Sequence, residues 1–266
     1  MQLTDILYDK HHGIATITIN RPDVMNAFRG ATIQQLIYAF RDAWDDVKIG
    51  AVILTGAGQR AFCTGGDQKT KVDVGGYDFN GGLGGGIGLE IEQLHLVIRN
   101  IPKPVIAAVN GYAIGGGHVL HVICDLTIAA EHAKFGQTGP TVGSFDGGFG
   151  SSYLARIVGD KKAREIWYLC EQYSAAECQE MGLVNKVVAG ELLMDEALNW
   201  AQKICAKSPT ALKILKYSFN ADTANIQGIS QLSMASLALF YKTDESNEGR
   251  EAFIEKRAVN FAKFRK

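Results

Sequence analysis

Over residues 13–20 the chain reads GIATITIN, apolar and polar in alternation, which is the period of a strand with one buried face. Arg21-Pro22 ends it. Across residues 26–45 the apolar positions Ile33, Leu36, Ile37 and Phe40 fall at helical spacing and predict a helix. Residues 51–55 (AVILT) form a short unbroken apolar run, as expected of a strand covered on both faces. A helix is predicted over 89–100, after which Pro102 and Pro104 lead into a second apolar strand at 105–109. Residues 114–121 and 126–130 continue the pattern, an alternation of strands and helices that indicates α/β layering. From Lys161 the character changes. Residues 161–171, 175–181, 191–206, 209–218 and 226–241 read as helices, with Pro209 in a first-turn position after Ser208. The charged stretch 244–266 keeps a helical period. The predicted organisation is a strand-rich core over 1–190 and a helical region over 191–266, with no internal repeat.

Composition narrows the class. With 266 residues, 47% of them hydrophobic, the chain can bury a sizeable core and needs no covalent staple. A net charge of −1, without a basic stripe, supplies no field to recruit nucleic acid. The five cysteines (Cys63, Cys124, Cys170, Cys178, Cys205) are scattered and lack CxxC spacing, so they read as free thiols in a reducing compartment. Residues 1–9 hold no basic segment followed by an apolar one, and no window approaches the ~18 apolar residues that span a bilayer. A soluble, cytoplasmic protein is expected. Residues 74–88 contain eight glycines, too many for a helix, and predict a loop that is either a linker or a lid.

Two glycine clusters carry candidate chemistry: Cys63-Thr64-Gly65-Gly66-Asp67 after the strand at 51–55, and Ala113-Ile114-Gly115-Gly116-Gly117-His118 after the strand at 105–109. Each stands where a strand ends and a helix could begin. Glycine lets backbone N–H groups approach a ligand with no Cβ in the way. Two such donors converging on one oxygen would stabilise the oxyanion or enolate of a thioester. Plain tight turns are the competing reading of either cluster alone. A dinucleotide-binding GxGxxG does not open a helix here. His118 and His121 share a helix face, but no third metal ligand accompanies them, so no metal is expected.

The order of the pieces resembles the crotonase (enoyl-CoA hydratase/isomerase) superfamily. The resemblance is carried by Asn26-Ala27, Phe62 to Asp67, Pro102 to Ala107, Gly111 to Gly117, Cys124-Asp125 and Phe135-Gly136-Gln137, collinear from about residue 5 to 262. It implies a spiral of ββα units with a helical C-terminal trimerisation region, a homo-trimer or hexamer, an acyl-CoA substrate, and neither metal nor redox cofactor. By motif position the oxyanion donors would be the N–H groups of Gly66 and Gly116. The family's hydratases carry glutamates where this chain has Val119 and Gly139, so the acid and base that position water are missing and simple hydration is not expected.

Within the superfamily, Gln137 to Gly148, with His118 to His121 and Lys161 to Trp167, resembles the 1,4-dihydroxy-2-naphthoyl-CoA synthases, which close a ring by an intramolecular Claisen condensation in menaquinone synthesis. That resemblance implies Asp146 and Tyr241 as acid/base residues and Tyr77 as a loop residue closing on substrate. It also implies a bicarbonate held by Gln137, Gly139 and Trp167, and CoA contacts from Arg29, Lys69 and a neighbouring subunit's Lys256. Read from the residues alone, Asp146 is equally a turn aspartate in Phe-Asp-Gly-Gly, and Tyr241 and Trp167 are core aromatics. Other segments resemble the 2-ketocyclohexanecarboxyl-CoA hydrolases, which open a ring by the reverse kind of step: Asn26 to Gly30, Gly88-Leu89 with Gln93 to His95, and Thr243 to Ser246. Ring closure is the leading expectation and ring opening the alternative. A non-catalytic acyl-CoA-binding module is the third.

Overall fold

The computed structural model describes residues 2–68 and 89–265. Six strands, β1 (Ile6–His11), β2 (Ile14–Ile19), β3 (Ala51–Gly56), β5 (Val105–Val109), β7 (Leu126–Ala130) and β10 (Lys186–Val188), form one sheet in the order β1-β2-β3-β5-β7-β10. Four short strands, β4 (Ala61–Cys63), β6 (Tyr112–Ile114), β8 (Lys134–Gly136) and β9 (Gln172–Ser174), form a second, in the order β4-β6-β8-β9. Successive turns of chain give one strand to each sheet, so β3-β4, β5-β6 and β7-β8 advance in parallel register. This is the α/β spiral that the sequence leads one to expect.

The long strands are apolar on both faces because both are covered. On one side Ile14, Ile53, Ile106 and Ile128 pack against Leu193, Ala197 and Ala201 of α7 (Leu193–Cys205). On the other, Ile17, Leu54 and Ala107 belong to a larger cluster with α1 (Gly30–Asp45), α2 (Ile91–Asn100) and α3 (Gly116–Ile123). Each fully buried aliphatic side chain contributes about 1.5–3 kcal/mol. Since α7 lies on the sheet, the helices standing clear of it begin at α8 (Pro209–Asp222) and continue through α9 (Ala224–Phe240) and α10 (Asp244–Glu255). Ser208 caps α8 and Pro209 occupies its first turn, as the sequence predicts. Lys216 ties α8 to the core through a 2.6 Å ion pair with Asp125.

One predicted boundary moves. The helix expected from residue 26 starts at Gly30, because Met25 and Asn26 take left-handed φ values of 57° and 55°. The Asn26 amide compensates: its Nδ2 donates to the carbonyls of Ala57 and Ala61, and its Oδ1 accepts from the Arg21 N–H.

Candidate active site

The glycine clusters hang on the second sheet rather than directly on the long strands. The turn after β4 and the turn after β6 abut, and a Cβ on Gly65 would lie 3.0 Å from the Gly116 nitrogen. Both turns need glycine, with φ of +85° at Gly65 and +57° at Gly115. Phe28 bridges Gly66 in parallel fashion: its N–H donates to Gly65 O and its carbonyl accepts from Asp67 N–H, both at 2.8 Å. In that pattern the N–H of Gly66 itself faces away from Phe28. Gly116 is the first residue of α3, where the helix offers its N–H no acceptor and presents the positive end of its dipole. Beneath them ions brace the chain. Arg21 pairs with Asp67 at 2.9 Å, while Arg29 grips both oxygens of buried Asp5 at 2.8 Å. The Arg29 guanidinium and the Thr32 hydroxyl hold the Asp5 carboxyl down to about 2.

Asp146 sits in the glycine-rich segment between β8 and a five-residue π turn (Phe149–Tyr153). It is buried, and its Oδ1 accepts N–H bonds from Gly148 (3.1 Å) and Gly150 (2.8 Å). A Cβ on Gly150 would lie 2.9 Å from both the Asp146 carboxyl carbon and Val119 Cγ2. The Asp146 carboxyl therefore lies beside Val119, one turn along α3 from Gly116. The helices of the C-terminal region fix this segment. Gly147 N–H donates to Ser233 Oγ at 2.7 Å, Gly148 lies against Ser230, and Gly143 lies against Ser246 and Gly249.

Tyr241, just past the end of α9, is buried with its hydroxyl 2.7 Å from Ser144 Oγ. A small cavity there is lined by Gln68, Ser144, Tyr241, Ser246, Asn247 and Arg250, so Tyr241 stands close to the segment that carries Gly66. Gly66, Gly116, Asp146 and Tyr241 are thus gathered around one region. Tyr77 and Lys69 lie outside the described residues.

The residues expected to hold bicarbonate are engaged elsewhere. Trp167 Nε1 donates to Gly150 O at 2.6 Å, and Gln137 Nε2 meets His118 Nδ1 at 3.1 Å. The space a side chain would need at Gly139 is filled by Ser144 O (2.7 Å) and Trp167 Cζ3 (3.0 Å). The arrangement does not fit the ion, and no step is routed through it. Arg29, expected at CoA, spends its fork on Asp5; Lys256 ends α10 in a left-handed conformation. His118 and His121 are buried, and desolvation drives both well down, His118 to about 3. Among the described residues no cluster of three or more His, Cys, Asp or Glu is placed to hold a metal, and no helix is long and apolar enough to cross a membrane.

One buried polar residue packed behind the Asp146 segment was not singled out from the sequence. His95 lies on α2 in the apolar stripe of Ile91, Leu94 and Ile98, is 1% exposed, and packs edge-on against Phe149 beside Asp146. A histidine interrupting an apolar i, i+3, i+4, i+7 stripe was the available signal.

Comparison with known proteins identifies the family and the fold. The enoyl-CoA hydratase/isomerase family model matches residues 9–264. A solved enoyl-CoA hydratase from Mycobacterium avium subsp. paratuberculosis K-10 superposes with a TM-score of 0.85 at 26% identity, covering 98% of this chain and 99% of its own. One from Bacillus anthracis is 31% identical with a TM-score of 0.73, covering 97% and 99%. A monofunctional enoyl-CoA isomerase from M. smegmatis is 30% identical with a TM-score of 0.70, covering 83% and 94%. The chain is a crotonase-superfamily acyl-CoA enzyme and belongs to the enoyl-CoA hydratase/isomerase family.

Proposed function

We propose that this enzyme cleaves a carbon–carbon bond beside a CoA thioester by adding water to a cyclic β-ketoacyl-CoA, the reaction of a 2-ketocyclohexanecarboxyl-CoA hydrolase. The observation that carries this reading is Asp146, a carboxylate with two N–H donors on one oxygen and the two glycine turns close by. Val119 and Gly139 leave no glutamate pair to position water on an enoyl double bond.

The Gly66 and Gly116 N–H groups bind the thioester oxygen. Asp146 takes a proton from water as it attacks the ring ketone. The tetrahedral alkoxide collapses to a carboxylic acid and expels the α-carbon, whose electron pair becomes the thioester enolate. The two N–H donors stabilise that enolate, an interaction worth about 3 kcal/mol per donor in comparable sites. A proton returned to the α-carbon from Asp146 or Tyr241 completes an open-chain dicarboxylic mono-thioester, with one water consumed. Ring closure of o-succinylbenzoyl-CoA, as in the 1,4-dihydroxy-2-naphthoyl-CoA synthases, runs through the same enolate and is the second reading. Its support is the Ser144–Tyr241 hydroxyl pair, suited to proton delivery. Its weakness is the engaged Trp167 indole and Gln137 amide, which leave no seat for a bicarbonate base.

A homo-trimer or hexamer in the cytoplasm goes with this reading. The exposed Leu215, Phe219, Leu232, Phe253 and Ile254 of α8–α10 offer the apolar surface for such an assembly.

The deciding assay gives purified enzyme 2-ketocyclohexanecarboxyl-CoA and, separately, o-succinylbenzoyl-CoA, with and without bicarbonate, and reads products by mass. Open-chain product from the first substrate supports hydrolysis; bicarbonate-stimulated naphthoyl product from the second overturns it. Asp146→Asn keeps the shape but cannot accept a proton. It should lower kcat by about 10²–10⁴ while CoA affinity stays unchanged. Activity within a few-fold of wild type would remove Asp146 from the chemistry.

A further inference from the structure

Hydrogen-bonded peptides pass polarisation along a chain, because each planar trans unit sets its N–H opposite its carbonyl. Two such units stand in series behind the Gly66 N–H. Gly65 O and the Gly66 N–H belong to one peptide, and Gly65 O accepts from the Phe28 N–H at 2.8 Å. That N–H shares its own peptide with Ala27 O, which accepts from Nη1 of Arg21. A guanidinium cation therefore begins a line of bonds that runs through two peptides and ends on the Gly66 N–H, the donor expected at the thioester oxygen.

Arg21 is fixed before it reaches Ala27. Its N–H donates to Asn26 Oδ1 at 2.9 Å, and its carbonyl accepts from the N–H groups of Val24 and Asn26. The Asn26 amide donates in turn to Ala61 O, at the start of β4, the strand that leads into the Gly65–Gly66 turn. The Arg21 side chain is 14% exposed, and its second arm, Nη2, pairs with Asp67 at 2.9 Å. Nε faces Asp5 at 3.6 Å. The two arms of one planar fork thus hold Ala27 and Asp67, the residues that flank the Phe28–Gly66 bridge.

Stability alone does not account for this arrangement. A buried ion cluster is costly to desolvate, and apolar side chains of the same size often serve a fold as well or better. Asp67, itself buried, also places a carboxylate one residue from Gly66, where an anion opposes negative charge on a bound oxygen. The Arg21 cation cancels that charge while it polarises the peptides. Lysine could supply the charge, but only the rigid fork of arginine donates in two fixed directions at once.

We propose that Arg21 is the positioning residue of the oxyanion hole: through the Ala27–Phe28 and Gly65–Gly66 peptides it aims the Gly66 N–H and strengthens it as a donor to negative charge. Arg21 touches no substrate atom. Its effect grows as the thioester oxygen becomes anionic, so it belongs to turnover more than to substrate binding. The inference rests on Gly66 serving as an oxyanion donor in the reaction proposed above.

The test compares wild type with Arg21→Met, which removes the cation, and Arg21→Lys, which keeps the charge and loses the fork. Two probes need no turnover. Acetoacetyl-CoA is a β-ketoacyl thioester whose bound enolate is read by near-ultraviolet absorbance, and butyryl-CoA is too weak an acid to give one. Arg21→Met should lower the enolate fraction of bound acetoacetyl-CoA by about tenfold or more, and Arg21→Lys by roughly threefold. Butyryl-CoA affinity should stay within about threefold of wild type in both, since a neutral thioester gains little from a polarised donor. Equal losses of enolate and of butyryl-CoA affinity would make Arg21 a brace of the fold and overturn the proposal, as would insoluble protein from both variants. Should only Arg21→Met fail to fold, Arg21→Lys decides by the same criterion. Enolate that persists in both variants overturns the inference and leaves the proposed reaction standing. Its absence from wild type refutes the oxyanion hole and the inference with it. Selective loss in an enzyme that turns over neither 2-ketocyclohexanecarboxyl-CoA nor o-succinylbenzoyl-CoA sustains the inference and refutes the proposed reaction instead.

Discussion

Two sets of glycines meet at the site, and they are held by opposite means. Gly65 and Gly117 press against backbone of the second sheet, at Ile114 and Cys63, while Gly116 presses against the Phe28 ring of the same folding core. Gly143, Gly147 and Gly148 press instead against Ser246, Ser233 and Ser230 on the C-terminal helices. The glycine turns of the proposed oxyanion hole are thus part of the core, while the placement of Asp146 is borrowed from α9 and α10. On the proposed reading, such a fold keeps one enolate-stabilising hole and changes its acid or base by altering helices far along the chain. Loss of the first set should cost the whole protein, and loss of the second should cost turnover.

The largest effect is expected at Gly117. A methyl group there would fall on Cys63 O, leaving only 1.9 Å where contact distances are well over 3 Å. No flexible side chain is available to give way, because the obstacle is β4 backbone. Gly117→Ala should lose more than about 3 kcal/mol, the upper end for overpacking, and be recovered largely as insoluble protein. A soluble Gly117→Ala with wild-type melting and activity would show that the hole is not built into the core as described.

A smaller effect should come from the brace beneath the hole, and it should depend on pH. Asp5 is held by Arg29 and Thr32, and its folded value of about 2 lies below the ordinary 3.8. A depressed carboxyl stabilises the fold above its unfolded value, and that contribution is lost as pH falls from about 4 toward 2. Asp5→Asn should therefore destabilise the protein by about 2 kcal/mol at pH 7, the scale of charge-assisted hydrogen bonds. The difference from wild type should shrink below pH 4. Urea unfolding at pH 7, 4 and 2.5 measures it. A constant difference across that range would mean that Asp5 contributes packing and not charge.

The same contrast explains what could be read from the chain beforehand. Residues 51–55 and 105–109 declare themselves, since an unbroken apolar run has few solutions other than a covered strand. So does the helix capped by Ser208. The strands β4, β6, β8, β9 and β10 are three residues long, too short to show a period, although β4 and β6 lead into the two glycine turns. Gly66 and Gly116 were singled out through local chemistry, because a glycine pair at a turn marks itself. The clamp on Asp146 was not legible. Ser230 and Ser233 lie more than 80 residues beyond Gly147 and Gly148, and nothing in a helical serine announces that a loop will rest on it. The engagement of the residues expected at bicarbonate was hidden for a related reason. Residue types at Gln137, Gly139 and Trp167 allow an ion, but only coordinates reveal that Gly150 O has taken the indole N–H.

The smallest effect sharpens the comparison most, since it separates stability from turnover in the helix-held region. Ser233 Oγ accepts the Gly147 N–H at 2.7 Å, one peptide from Asp146. Ser233→Ala removes the acceptor and leaves that N–H facing a methyl group, a loss of about 1 kcal/mol in stability. Gly147 also bears the peptide next to the residue that must stay aimed at the thioester, so a modest shift there misplaces the carboxylate. Misplacement by about 1 Å can lower a rate on the order of 10²-fold. Ser233→Ala should accordingly lose roughly ten- to a hundredfold in kcat, while KM and CoA affinity hold, because the oxyanion turns do not depend on α9. Equal losses in CoA affinity and kcat would mean that the two glycine regions move together, and the division between a core-built hole and a helix-held carboxylate would have to be given up.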